Sequence, residues 1–156
     1  MTVNRFEALT LGAEKTLYRV ARAMLKTDED AADAVQDAIL IAFEKRDTLR
    51  EEAYFSTWLV RILINVCKKY LKSRAREAPA RQIMPDLPTA DPDPADSIAV
   101  RDAVNKLPVK CRLVAVLYYA EEKSVREIAS LLSIPPGTVK SRLSRARELL
   151  RLDLTE

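Results

Sequence analysis

The stretch Ile134-Pro-Pro-Gly-Thr-Val-Lys-Ser-Arg-Leu-Ser-Arg-Ala-Arg-Glu-Leu149 decides how the rest of this chain is read. Pro135 and Pro136 fix φ for a helix start, Gly137 leaves room for a close backbone approach, and helix formers punctuated by Lys140, Arg142, Arg145 and Arg147 follow. At about 100° per residue, Leu143, Ala146 and Leu150 fall within about 40° of Val139 and define a core side. The opposite side carries Gly137, Ser141, Ser144 and Glu148, with Thr138 in the first turn and Lys140 and Arg145 at the flanks. Small residues permit close approach to a groove, and long cations reach base edges or phosphates. Arg142 and Arg147 lie nearer the core edge, where a phosphate contact or an intramolecular ion pair is expected, and Arg151 is plain exposed surface.

Upstream, Ser124 and Glu127 form a capping box for a helix carrying Val125, Ile128, Ala129 and Leu132, and a turn at Ser133 and Ile134 delivers the chain into the last helix. A solvated amphipathic helix would explain the basic face alone. Capping box, turn, proline pair and basic face together predict a helix-turn-helix, whose second helix enters the major groove of DNA. Before it, Ser97 is a plausible cap for a short helix with Ile98, Val100, Ala103, Val104 and Leu107, and Pro108 starts another running to about Ala120. The second half is therefore expected to be a bundle of four short helices.

Between Pro79 and Asp96 the helical pattern stops. Pro79, Pro85, Pro88, Pro92 and Pro94 alternate with Asp86, Asp91, Asp93 and Asp96, and Arg81 is the one basic residue. This composition predicts a flexible acidic linker over 79–96, able to span roughly 60 Å when extended at about 3.3 Å per residue. It separates two domains, 1–78 and 97–156.

In the first, Leu9, Ala13, Leu17, Val20, Ala21, Met24 and Leu25 recur at helical spacing, with Gly12 a candidate break. Thr27 and Asp30 start a second helix that continues to about Lys45 on a stripe of Ala31, Ala34, Val35, Ala38, Ile41 and Ala42. A third, from about Tyr54 to Arg76, is expected to bury Trp58, Leu59, Ile62, Leu63, Val66 and Tyr70. Its other face carries Arg61, Asn65, Lys68, Lys69 and Lys72. The fold class predicted is all-α: two small helical domains joined by an acidic proline-rich linker.

Composition agrees. The 156 residues hold eight Pro, two Gly and no β-rich segment. Without a single His, the chain has no usual ligand set for zinc or haem, and no metal or cofactor is expected. Cys67 and Cys111 sit among apolar residues and read as reduced core thiols. With no signal-peptide pattern and no apolar run of about 18 residues, a cytoplasmic location is expected.

Charge is unevenly placed. Arg61 to Arg81 holds seven Lys/Arg against Glu77, a balance of +6, and Lys123 to Arg151 holds seven against Glu127 and Glu148, a balance of +5. The chain totals +3, so the remainder is −8. Two basic islands on an acidic body predict two separate contacts with nucleic acid. Phe55 and Trp58 beside the first island supply stacking surface of the kind single-stranded DNA needs, although Trp58 could equally be core. Asp30, Asp33 and Asp37 share one face of the second helix, with Gln36 beside them. That stripe invites a basic protein partner; a divalent-metal site is the sharper alternative, but carboxylates on one straight helix rarely converge on one ion.

These residues resemble the extracytoplasmic-function group of bacterial RNA polymerase sigma factors, which keep the two domains called region 2 and region 4. Asp30-Ala-Ala-Asp33-Ala-Val-Gln36-Asp37 is similar to the family's polymerase-binding stretch, and Phe55-Ser-Thr-Trp58-Leu59 with Ile62 and Asn65 to its promoter-opening segment. Leu107-Pro108 with Arg112 resembles the start of region 4. Glu127-Ile128-Ala129, Pro136-Gly137-Thr138-Val139-Lys140-Ser141-Arg142-Leu143 and Arg145-Ala146-Arg147 resemble its most specific signature.

The resemblance implies that Asp30, Asp33, Gln36 and Asp37 bind core RNA polymerase. It implies that Phe55, Trp58, Arg61, Asn65, Lys68, Lys69 and Lys72 contact the −10 element, and that Gly137, Thr138, Lys140, Ser141, Arg142, Ser144 and Arg145 contact the −35 element. It also implies an anti-sigma factor that could hold the chain at the membrane, and no small-molecule substrate. Ala32, Lys69 and Val125 depart from residues the family often has, Glu, Asp and Tyr.

Two other classes compete. A free-standing helix-turn-helix regulator would leave the basic third helix, the acidic face and the linker without use. An enzyme acting on nucleic acid would need a nucleophile and base or a phosphate loop, which the sequence does not offer.

Overall fold

The structure, a computed structural model, describes residues 1–77, the Glu77 side chain excepted, and 98–155. The segment 79–96 expected as a linker, and Ser97, lie outside the described residues. Every regular element among the described residues is helical. The chain divides into two compact units.

In the first, α1 (Val3–Met24) is capped by Thr2, whose hydroxyl accepts from the Arg5 amide at 3.1 Å. It runs unbroken through Gly12, so the candidate break there is corrected: seven buried side chains besides Thr10 stabilise α1 by more than the ~1 kcal/mol that glycine costs a helix. Helix α2 (Asp28–Glu44) begins where expected, the Thr27 hydroxyl accepting from the Asp30 amide at 3.0 Å, with Asp28, Glu29 and Asp30 at the positive end of its dipole. Arg22 Nε meets Asp28 Oδ1 at 2.8 Å and the Tyr18 hydroxyl donates to the same oxygen at 3.0 Å, fixing the corner between the two helices.

The residues α2 buries without exposure are all alanine, Ala31, Ala34, Ala38 and Ala42, while Val35 and Ile41 are half-buried. Helix α3 (Phe55–Glu77) packs against both α1 and α2. A helix with two neighbours needs a wider apolar face than one stripe. Val60, Ile64 and Cys67 are accordingly buried beside Leu59, Leu63 and Val66, whereas Trp58, Ile62 and Tyr70 are only half-buried.

In the second unit, α4 (Ile98–Asn105), α5 (Val109–Ala115), α6 (Val125–Leu132) and α7 (Pro136–Leu154) form the expected four-helix arrangement, with α7 packing against the other three. Ile98 and Val100 are exposed rather than core. Arg112 is buried, its guanidinium donating to the carbonyls of Asn105 at 2.8 Å and Leu107 at 3.3 Å. It thereby satisfies acceptors that the end of α4 leaves open. The helix expected to reach Ala120 stops being α at Ala115 and widens into a π turn over Val116–Ala120.

The capping box is present in both directions: the Glu127 amide donates to Ser124 Oγ at 3.1 Å, and the Ser124 amide to Glu127 Oε1 at 3.0 Å. Hydrogen bonding to Ser124, its backbone amide first, holds the Glu127 carboxyl below the usual range. Ser133 then turns left-handed at φ 56°, its amide reaching the Ser130 carbonyl at 3.4 Å and the Ile134 amide reaching Ala129 at 3.0 Å. That is a Schellman ending, adopted here without glycine.

Candidate nucleic-acid interface

Helix α7 starts with Pro136 in its first turn and no side-chain cap, the amides of Thr138 and Val139 donating to the Pro135 carbonyl at 3.0 and 3.3 Å. Val139, Leu143 and Ala146 are buried and Leu149 and Leu150 half-buried, which turns Gly137, Lys140, Ser141, Ser144 and Arg145 outward. Thr138 and Arg142 are half-buried at the edge. The Ser141 hydroxyl donates back to the Gly137 carbonyl at 3.1 Å, which keeps it close to the helix surface. Arg145 lies 3.4 Å from Glu148 in an exposed pair, worth little and easily exchanged for another anion.

Among the described residues nothing near Gly137 requires glycine there. A Cβ built there meets nothing within 4 Å, and its φ is not left-handed. Arg147 is satisfied internally, but by tyrosine rather than a carboxylate: Nε donates to the Tyr119 hydroxyl at 2.6 Å, and the guanidinium lies 5.8–5.9 Å from the Tyr118 and Tyr119 ring centres.

On α3, Arg61, Asn65, Lys68, Lys69 and Lys72 are exposed along one side, with Trp58 half-exposed at its head. Phe55 is a correction. It is 3% exposed and packs edge-on against Phe6 at 5.7 Å, in a cluster with Phe43 and Trp58, so its ring is part of the core and not a stacking surface.

The acidic face of α2 is likewise divided. Asp30 is 8% exposed and held by a two-pronged bond from Arg74, Nε to Oδ2 at 3.0 Å and Nη2 to Oδ1 at 2.7 Å, which removes it from the outward surface. Asp37 is exposed but accepts from the Tyr70 hydroxyl at 2.9 Å. Burial and the Asp37 carboxylate push that phenol up to about 12. Asp33 and Gln36 face outward. With Asp30 and Asp37 drawn onto different partners, the three carboxylates do not converge, and no cluster of three metal-ligating side chains occurs among the described residues. Sequence reasoning missed Arg74 and Tyr70, whose roles depend on contacts 44 and 33 positions away. Among the described residues no helix is long and apolar enough to cross a membrane.

Residues 13–77 match the sigma-70 region 2 family and residues 97–150 the sigma-70 region 4 family. The chain is 37% identical over 147 residues to the ECF RNA polymerase sigma factor SigM of Mycobacterium tuberculosis, covering 93% of this chain and 74% of that protein. It is 32% identical over 156 residues to the ECF RNA polymerase sigma factor SigW of Bacillus subtilis, covering 90% and 83%. The sigma factor RpoE, solved in complex with the anti-sigma factor NepR from Bartonella quintana, is similar at a TM-score of 0.86 and 25% identity over 98% of either chain. CnrH, solved with the cytosolic domain of CnrY, shares the fold at a TM-score of 0.70, covering 99% and 90% of the two chains at 24% identity. With both halves matched in order and a relative at 37% identity spanning most of both proteins, the chain belongs to the extracytoplasmic-function sigma factors of the sigma-70 family, non-catalytic promoter-specificity subunits of RNA polymerase.

Proposed function

We propose that this chain directs core RNA polymerase to one set of promoters by gripping two DNA elements with two separate units, 1–78 and 97–156, joined through 79–96. In this reading α7 lies in the major groove of the −35 element. Gly137, Thr138, Ser141 and Ser144 allow the approach, and Lys140, Arg142 and Arg145 contact bases or phosphates. The basic side of α3, from Trp58 through Arg61, Asn65, Lys68, Lys69 and Lys72, binds the −10 element as it opens. Asp33, Gln36 and Asp37 meet the polymerase, with Asp30 acting through Arg74 to hold their helix in place.

The observation that carries the reading is the outward side of α7, where burial of Val139, Leu143 and Ala146 turns Gly137, Lys140, Ser141, Ser144 and Arg145 to the surface. An anti-sigma factor as regulator is supported by the complex in which RpoE was solved with the anti-sigma factor NepR, and a cytoplasmic chain held near the membrane at need belongs to the same reading.

Run-off transcription by core polymerase on a genomic promoter library, with and without the protein, tests the proposal. Start sites are expected only when the protein is present, and their absence would overturn it. Arg145→Ala or Lys140→Ala should weaken −35 binding by about 1–3 kcal/mol where the contact is to a base, and uniformly across sequences where it is to phosphate. Asp33→Lys with Asp37→Lys should abolish co-purification with core polymerase while the helical circular dichroism is retained.

A further inference from the structure

The second unit ties its last helix to a tyrosine that lies outside the helix-turn-helix. Arg147 Nε on α7 donates to the Tyr119 hydroxyl at 2.6 Å, and the guanidinium lies 5.8 Å from that ring centre and 5.9 Å from the Tyr118 ring, the two rings meeting edge-on at 4.9 Å. Both partners are exposed, Tyr119 by 54%. Water can replace either side of such a bond, so it adds little to folding.

The backbone behind Tyr119 is nevertheless specialised. The π turn Val116–Ala120 closes with the Glu121 amide donating back to the Val116 carbonyl at 3.0 Å, Leu117 within it is fully buried, and Glu122 follows at a left-handed φ of 55° without being glycine. Such conformations persist where the surrounding structure imposes them, and they gather at working sites. Here they set Tyr119 beside α7.

The bond occupies Nε and leaves the two Nη groups, the forked edge of the guanidinium, for another acceptor. A phenol also orients the arginine without cancelling its charge, which a carboxylate would do. Lys140, Ser144, Arg147 and Arg151 are exposed and follow at intervals of four, three and four residues, which lines them along one flank of α7. At about 1.5 Å per residue, Arg147 stands about 10 Å beyond Lys140. The first turns of such a helix meet base edges, so an arginine that far along lies at the wall of the groove, where the strand presents phosphates.

We infer that Tyr119 is a positioning residue of the −35 contact: it holds Arg147 by Nε so that the forked edge of the guanidinium takes one backbone phosphate at the groove wall. The inference rests on the major-groove role proposed for α7 and adds a residue from outside both helices of the motif. A phosphate carries no sequence, so the pair fixes where α7 sits and not which bases it reads.

The test uses holoenzyme reconstituted from core polymerase and the full chain, with duplexes carrying the −35 element of a promoter recovered by run-off transcription. Single phosphates are replaced in turn by neutral methylphosphonate. One replacement should weaken the wild type and leave Arg147→Ala unaffected. Arg147→Ala should lower affinity about 10-fold, equally on duplexes with altered −35 bases, and make the salt dependence shallower by about one phosphate. Tyr119→Phe, which keeps the ring and loses the hydroxyl, should cost about 3- to 10-fold in the wild-type background and nothing further in Arg147→Ala.

A loss from Tyr119→Phe that is the same with or without Arg147 would make the tyrosine a general support of the fold and overturn the inference. So would a wild type that prefers its −35 duplex but shows no methylphosphonate position that Arg147→Ala ignores. A wild-type holoenzyme that binds the −35 duplex no better than an unrelated one would remove the α7 reading itself, and this inference with it.

Discussion

Helices α3 and α7 each carry an exposed basic side, and they are held in opposite ways. Helix α3 lies against two neighbours and buries apolar residues on both flanks, from Val60 and Ile64 to Leu59 and Leu63. Only a narrow strip is left outward, and it is filled with long flexible cations. Helix α7 buries Val139, Leu143 and Ala146 and keeps a broad outward side whose middle is glycine and serine. A strip of lysines can follow a backbone that changes shape, because each side chain reaches independently. A smooth helical surface fits a groove whose shape is already fixed. The contrast suits an element to be opened at one end and an element to be read as duplex at the other.

The contrast is tested most severely by asking whether the two units stand alone. Leu63→Ala and Leu143→Ala each empty a site that is almost fully buried and should each cost about 2–5 kcal/mol. Hydrogen exchange on the full chain should then show lost protection in residues 1–77 for the first and in 98–155 for the second. Loss across both units in either variant would break the separation.

Alkali should strike the first unit. Burial holds the Cys67 thiol from its usual 9.0 up to about 12, and burial with the Asp37 bond holds the Tyr70 phenol from 10.0 up to about 12. Both groups keep their protons longer when folded, so their contribution is complete below about pH 9 and is lost as pH rises to about 12. Helical signal and thiolate absorbance followed together across that range should change together. Thiolate appearing near pH 9 with the helices intact would contradict the burial of Cys67.

Arg74→Ala should destabilise the first unit by about 1–3 kcal/mol, because it leaves the buried Asp30 carboxylate without its fork of donors. Arg74→Lys should recover only part, since an ammonium cannot make both bonds. Denaturant titration of the three proteins measures this, and equal stability would show the pair to be ornamental.

The smallest effect is the sharpest. Gly137→Ala should raise stability by about 0.5–1 kcal/mol, since the new methyl meets nothing and alanine favours the helix, while −35 DNA binding falls. A variant that is more stable and binds as before would remove the case for close approach at that position.

Legibility in the sequence followed the same division. Helix α7 and its partner α6 were readable because every signal is local: the Ser124 and Glu127 box, the prolines, and one buried side at a single helical period. Helix α3 was harder, because burial against two helices blurs its period and hides which of Tyr54 and Phe55 turns inward. The 3₁₀ turn ahead of it shifts the helical phase by a fraction of a turn, which no spacing rule registers. The Asp30 to Arg74 bond spans 44 positions, so nothing local showed that one of the three carboxylates on that face is already occupied. The π turn at Val116–Ala120 carries no composition signal, and the turn read at Ser133 gives no sign from a serine that it is left-handed.

One modest feature has reach beyond its own helix. The centre of the α2 seam is made of Ala31, Ala34, Ala38 and Ala42, each without exposure, while Phe43 near the end of the helix packs against Phe6. Four methyl groups in a row leave α2 little side chain of its own there to shrink or grow. Surface positions on either side can therefore be exchanged, and the chain given new targets, while the distance between its negatively and positively charged flanks stays constant.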